Sequence, residues 1–196
     1  MPRTPRLLED DKYYHILTRG NDRKRIFRHE QDYLYFLRLI SQYILKYPVL
    51  IYHYCFMDNH MHFLIKAIEA RDVPKFLQAI LQCYAAYFRK RYNHSGFLFQ
   101  NRYKSYLIDK ESYLLDCARY IERNPLRAKI IGSLRDYRWS SYLFYTEGCK
   151  DDIIKTPNPL YLQLAETGVE RRRLYNEYIL QERPYDAIVD KALKIY

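Results

Sequence analysis

An α+β fold built on one open antiparallel sheet is what this sequence predicts, on three observations. Short runs of β-branched and aromatic residues alternate with stretches whose apolar residues recur at helical spacing. Two of the strand runs are joined only by Met57-Asp58-Asn59, a turn short enough for a hairpin. A strand and a helix come before that hairpin and a helix and a strand come after it, so two crossovers flank a central pair of strands.

The elements follow in chain order. Tyr13-Tyr14-His15-Ile16-Leu17-Thr18-Arg19 reads as a strand, which Gly20-Asn21-Asp22 breaks with turn residues. From Glu30 to Lys46 a first helix is expected, because Tyr33, Phe36, Leu37, Ile40, Tyr43 and Ile44 fall on one face and Pro48 closes the run. Residues 49–56 and 60–67 form the hairpin. Pro74 suits the first turn of a second helix, whose stripe of Leu77, Ile80, Leu81, Tyr84 and Phe88 runs on to Tyr92, where Asn93-His94-Ser95-Gly96 ends it. Residues 103–108 make a fourth strand, and Asp109 caps a third helix expected to reach Asn124 before Pro125 stops it. The order β-α-β-β-α-β-α predicts a ferredoxin-like, split β-α-β antiparallel sheet with helices on one face, plus a helical C-terminal extension. Residues 1–145 are read as one domain and 146–196 as the extension, with Pro157 and Pro159 marking a linker.

Composition narrows the partners. The chain of 196 residues is 48% hydrophobic and 29% charged with five glycines, which is globular and neither disordered nor fibrous. Its net charge of +10 is spread along the chain and favours a polyanion. The 23 tyrosines offer ring faces to unpaired bases as well as core volume. Cysteines at 55, 83, 117 and 149 form no C-x-x-C pair, so reduced thiols are expected rather than a zinc knuckle or a disulfide framework. The N-terminus shows no secretory signal and no apolar run reaches the length of a membrane span, so a cytoplasmic protein is expected. The G-x-x-x-x-G-K-[ST] nucleotide motif does not occur.

Two constellations carry chemistry. In His60-Met61-His62, at the start of a strand, alternation points both imidazoles to one face roughly 6.6 Å apart along the chain. One ion could be held by both, and two half-exposed histidines would give the same pattern. On the third helix Tyr120 and Asn124 stand at i, i+4, beside a buried stripe of Leu114, Ala118 and Ile121 that leaves Tyr120 at its edge. Tyr113, seven residues earlier, falls on nearly the same face, and spacing does not choose between the two tyrosines. His15, His29, His53 and His94 are read as structural or surface residues.

Those residues carry a resemblance. Met57-Asp58-Asn59-His60-Met61-His62-Phe63-Leu64 resembles the M-P-N-H-x-H-L-L signature of REP-associated tyrosine transposases, a branch of the HUH single-tyrosine transposases. Arg19-Gly20-Asn21 with Ile26-Phe27 resembles R-G-N-x-x-x-x-I-F. The segment from Phe99 to Ser105 resembles W-Q-G-R-F-K-S, Arg119 to Pro125 resembles R-Y-I-E-L-N-P, and Trp139-Ser140-Ser141-Tyr142 completes the set in the same order. The sequence departs from the pattern at Asp58 for proline, Asn101 for glycine and Arg123 for leucine. The resemblance implies that His60, His62 and Asn124 hold a divalent metal, Mg²⁺ or Mn²⁺, and that Tyr120 attacks a phosphate of single-stranded DNA near a hairpin to give a 5′-phosphotyrosine. DNA contacts are expected from basic and aromatic segments, chiefly Arg19, Asn21, Arg23, Lys24, Arg25, Arg102, Tyr103 and Lys104. The alternative is a ferredoxin-like nucleic-acid-binding module without catalysis. Monomer and homodimer both stay open.

Overall fold

The structure of the protein, a computed structural model, describes residues 7–181. β1 (Lys12–Arg19), β2 (Val49–Phe56), β3 (His60–Ala67) and β4 (Lys104–Ile108) form one sheet in the order β2-β3-β1-β4, antiparallel at every pairing. This is the split β-α-β topology expected from the sequence. The hairpin turn closes where predicted, with Met57 N–H donating to the His60 carbonyl at 2.8 Å.

α1 (Glu30–Tyr43) and α2 (Asp72–Tyr92) are the two crossovers, and they cover one face of the sheet. α1 starts at a capping box, in which the Asp32 carboxylate takes the backbone N–H groups of Arg28 and His29 at 2.8 and 2.9 Å. The same carboxylate accepts from Tyr87 and Tyr92 of α2, so the cap also ties the two helices together. Between them and the sheet lies an aromatic core in which Phe36, Phe56, Phe63, Ile80 and Tyr84 are all but fully buried. Residues of β3 alternate as expected: Met61, Phe63 and Ile65 enter this core, and His60, His62 and Leu64 turn to the other face.

That other face is also covered, by α3 (Leu114–Glu122), which contacts β2 and β3. β2 carries a bulge: Ile51 pairs with Ile65 but His53 pairs with Leu64, so Tyr52 is an extra residue. The shift brings His53 against α3, where its Nδ1 meets Glu122 Oε1 at 2.9 Å and its Nε2 meets Asn158 Nδ2 at 3.0 Å. Tyr175 also donates to Glu122, at 2.9 Å. His53 and Glu122 are thus joined in a fully buried polar network, with several donors on one carboxylate.

The third helix departs from expectation in its bounds. Glu111–Tyr113 forms a 3-10 turn, α3 begins only at Leu114, and after Arg123 the chain starts a separate single turn, α4 (Asn124–Arg127), with Pro125 in its first turn. Tyr113 is 43% exposed and lies before the helix. It therefore does not share a helical face with Tyr120.

The expected boundary at residue 145 falls inside α5 (Tyr142–Glu147). Before α5 the chain joins the β2 edge, with Phe56 N–H donating to the Trp139 carbonyl at 2.9 Å and Ser141 N–H to the Tyr54 carbonyl at 3.0 Å. That contact covers the C-terminal end of an otherwise open edge. Ile153, Ile154, Tyr161, Tyr175 and Ile179 bury themselves in the main core, so the described part of the extension is continuous with the domain. Pro157 and Pro159 mark no linker: Pro159 opens the short α6 (Pro159–Leu162), capped by the buried Asn158. α7 (Gly168–Leu180) packs on α3 and α5. The remainder of the expected helical tail, residues 182–196, lies outside the described residues.

Candidate active site

Antiparallel pairing of β1 with β3 sets Arg19 opposite His60 and Leu17 opposite His62. His15 is then diagonal to His62 on the same face, and its Nε2 comes within 2.9 Å of His62 Nδ1. His60 Nδ1 in turn lies 2.5 Å from Asn59 Oδ1. An amide oxygen only accepts, so His60 Nδ1 carries the proton and its Nε2 keeps a lone pair. If His15 accepts from His62 in the same way, His62 Nε2 keeps its lone pair as well. The histidines are buried, at 8% exposure for His60 and none for His62, which removes the reading of two half-exposed rings. Burial lowers the His60 pKa to about 4 and that of His15 to about 3, and it pushes His62 well below the usual histidine range. For His60 the Asn124 side chain, close by but outside hydrogen-bond geometry, pulls the other way. Neutral imidazoles are the form that ligates a cation.

Asn124 enters from α4. Pro125 has no N–H to give the Ile121 carbonyl, and the Asn124 Nδ2 covers that end of α3, donating to the Tyr120 carbonyl at 2.9 Å and reaching the Ile121 carbonyl at 3.4 Å. Its Oδ1 is thereby turned outward from the helix end. Tyr120 places its ring 5.8 Å from both His15 and His62, edge-on to each. The Arg127 guanidinium lies over the Tyr120 ring at 5.1 Å. Tyr120 is 2% exposed, not at the edge of the buried stripe as its spacing suggested, because its ring faces the sheet beside His15 and His62 with the Arg127 guanidinium over it.

Three buried atoms of this cluster, His60 Nε2, His62 Nε2 and Asn124 Oδ1, have no hydrogen-bond partner among the described residues. Buried acceptors without donors are costly, and all three atoms are of the kind that a divalent cation could take as ligands. Two imidazole nitrogens and an amide oxygen suit a borderline divalent ion such as Mn²⁺ better than Mg²⁺, though both accept the oxygen. Among the described residues no group of three or more His, Cys, Asp or Glu side chains is placed to hold a metal. The donor set here is of a different kind, two histidines and an amide.

The basic loop expected to meet DNA sits at the same end of the sheet. Gly20 N–H donates to the Asn59 carbonyl, and Ile26 and Phe27 N–H both donate to the Asp58 carbonyl, which ties residues 20–27 to the hairpin turn. A Cβ on Gly20 would stand 2.2 Å from the Lys24 carbonyl oxygen, so only glycine fits there. Asn21, Arg23, Lys24 and Arg25 are exposed and Arg19 is half-buried. Arg25 is paired with Asp58 at 3.0 Å, which gives that departure from the family pattern a local partner. Arg102 and Lys104 are exposed as well, but Tyr103 is 7% exposed and packs into the core, so it offers no ring face to a base. The second departure, Arg123, is buried and donates to the Ile179 and Leu180 carbonyls at 3.0 and 2.8 Å; Arg119 reaches the Gln181 carbonyl at 2.6 Å. Two arginines thus cap the C-terminal end of α7, where helix carbonyls lack partners.

Sequence reasoning missed His15 and Arg127 as members of this cluster. Strand register is the signal that would have found His15. Arg127 follows Tyr120 by seven residues, but the break at Arg123 between α3 and α4 hides that relation.

The fold has counterparts among solved structures. A REP-associated tyrosine transposase bound to a REP hairpin superposes with a TM-score of 0.63 at 15% identity, covering 80% of this chain and 92% of that one. A transposase-like protein from Deinococcus radiodurans R1 gives a TM-score of 0.42 at 15% identity, over 66% and 92% of the two chains. No curated protein matches the chain in sequence. The family profile described as "Transposase IS200 like" matches residues 10–124, which contain the sheet, both crossovers, the histidine pair, Tyr120 and Asn124. The chain belongs to the family of IS200-like transposases.

Proposed function

We propose that the protein cleaves and rejoins single-stranded DNA beside a hairpin, through a 5′-phosphotyrosine on Tyr120 and with Mg²⁺ or Mn²⁺ held by His60, His62 and Asn124. The observation that carries this reading is the set of three buried nitrogen and oxygen atoms, without a hydrogen-bond partner among the described residues, next to a tyrosine in a chain of this family. When bound, the divalent ion draws charge from a non-bridging phosphate oxygen, a contribution of several kcal/mol.

The chain's own residues do the rest. The Tyr120 oxygen bonds to phosphorus while the P–O3′ bond breaks; the phenol proton leaves, and the departing 3′ oxygen ends as a hydroxyl. Attack by a second 3′-hydroxyl restores a phosphodiester and frees Tyr120, so the bond energy is kept without a nucleotide cofactor. Arg127 brings positive charge to the phosphate. At 2% exposure Tyr120 has to be uncovered first, and Arg127, which a phosphate attracts, is the group we assign to that movement. His15 holds the His62 ring in place as ligand-supporting groups do. His15→Ala is expected to weaken Mn²⁺ binding about 10- to 100-fold with the fold kept, as titration calorimetry and circular dichroism would read. Unchanged affinity would show that His62 needs no such support.

The substrate form is testable in the same way. Exposed aromatic rings stack only on unpaired bases, whereas phosphates are available on duplex and single strand alike. A hairpin with a single-stranded 5′ extension should bind more tightly than a blunt hairpin or a linear duplex of equal length at one salt concentration. The neighbour with TM-score 0.63 is a complex with a hairpin, which supports that choice of probe. The burial of Tyr120 favours the second reading, a binding module without catalysis. Incubation of labelled hairpin DNA with Mn²⁺, followed by a denaturing gel, separates the two: a covalent protein–DNA band supports cleavage, and binding without it supports the module.

A further inference from the structure

Beside the end of β1, α2 and residues 97–102 enclose a groove of about 680 Å³. We propose that this groove seats one unpaired base of the bound DNA strand, an inference that rests on the single-strand reading above.

The chemistry of its walls is that of base recognition. Phe97 is 83% exposed, on the groove's rim, between Gly96 in a left-handed conformation (φ 84°) and the buried Leu98. Leu98 is fixed in turn by its carbonyl, which accepts from Asn21 N–H at 2.7 Å. An aromatic ring held out in water by a pinned backbone is available for stacking, worth several-fold to a hundredfold in affinity per base. Gln78 and Gln82 stand one turn apart on α2, with Asn101 across the groove, and the side-chain amides of all three make no hydrogen bond among the described residues. Amides present a donor and an acceptor together, which is what the Watson–Crick edge of a splayed-out base requires. Arg89, also without an ion pair among the described residues, and Arg102 add positive charge for the flanking phosphates. None of the lining residues is acidic, so the surface does not repel a polyanion.

The groove is also joined to the candidate active site. Gln100, on its wall, donates its N–H to the Arg19 carbonyl and accepts from Arg19 Nε, each at 3.0 Å, and Arg19 stands opposite His60 in the sheet. A strand passing Tyr120 can therefore continue over Arg19 into the groove without crossing the core. Exposed side chains make the idea testable without risk to the fold.

The experiment measures the affinity of the wild type, Phe97→Ala and Gln82→Ala for a blunt hairpin and for the same hairpin with a single-stranded extension, at fixed salt and by fluorescence anisotropy. A second series places an abasic nucleotide at each position of the extension. Phe97→Ala should lose about tenfold on the extended hairpin and nothing on the blunt one. One abasic position should cause the same loss in the wild type and no further loss in the variant. If the variants keep the full advantage of the extension, or weaken both probes equally, the groove does not seat an unpaired base, while the single-strand reading stands. If the wild type itself gains nothing from the extension, that reading fails and this inference fails with it.

Discussion

Tyr120→Phe is expected to abolish the covalent protein–DNA adduct and to lower strand cleavage by at least about a thousandfold, the scale on which nucleophile knock-outs act. The substitution removes one oxygen and keeps the ring, so the edge-on contacts with His15 and His62 and the guanidinium above the ring persist. Hairpin affinity should therefore stay within about twofold, since the loss concerns bond formation and not ground-state binding. Tyr113→Phe is the matched control. That residue sits in an exposed turn ahead of α3, and its replacement should leave both adduct and cleavage unchanged. Cleavage at the wild-type rate by Tyr120→Phe, with a band lost instead in Tyr113→Phe, would move the nucleophile to the turn. Cleavage without any adduct would point to attack by water.

His60→Ala, His62→Ala and Asn124→Ala are each expected to weaken Mn²⁺ binding by more than about 100-fold, beyond the range typical of ligand-supporting residues, and to lower cleavage in parallel. Among them His60→Ala is the most informative, because His60 is the least buried of the three and its removal opens the smallest internal void. Asn124→Ala has a second effect: it also removes the donor to the Tyr120 carbonyl, so its thermal midpoint should fall as well. Titration calorimetry read beside a melting curve separates loss of ligand from loss of structure. Unchanged Mn²⁺ affinity in all three variants, each still folded, would exclude the site.

What the sequence by itself determined is what local geometry determines. The alternation of His60, Met61 and His62, the hairpin at residues 57–59 and the apolar stripes of α1 and α2 follow from two-residue and 3.6-residue periods, which need no knowledge of what lies across the sheet. The motif resemblance likewise placed Tyr120 and Asn124 together without saying how. Tertiary structure decided the rest. His15 joins His62 only because β1 and β3 pair in one register, and His53 reaches Glu122 only because Tyr52 bulges from β2. Tyr120 and Tyr103 are buried, where spacing and composition suggested an edge and a stacking surface: the Tyr120 ring stands against His15 and His62 of the sheet, while α7, far along the chain, packs on α3 through Tyr175 and Tyr178, which reach Glu122 and Asp116. Arg123, an anomaly in the motif, proves to cap that same distant helix. Each of these facts joins residues far apart in the chain, and such contacts arise from how preformed elements pack, which a period read along one segment does not contain.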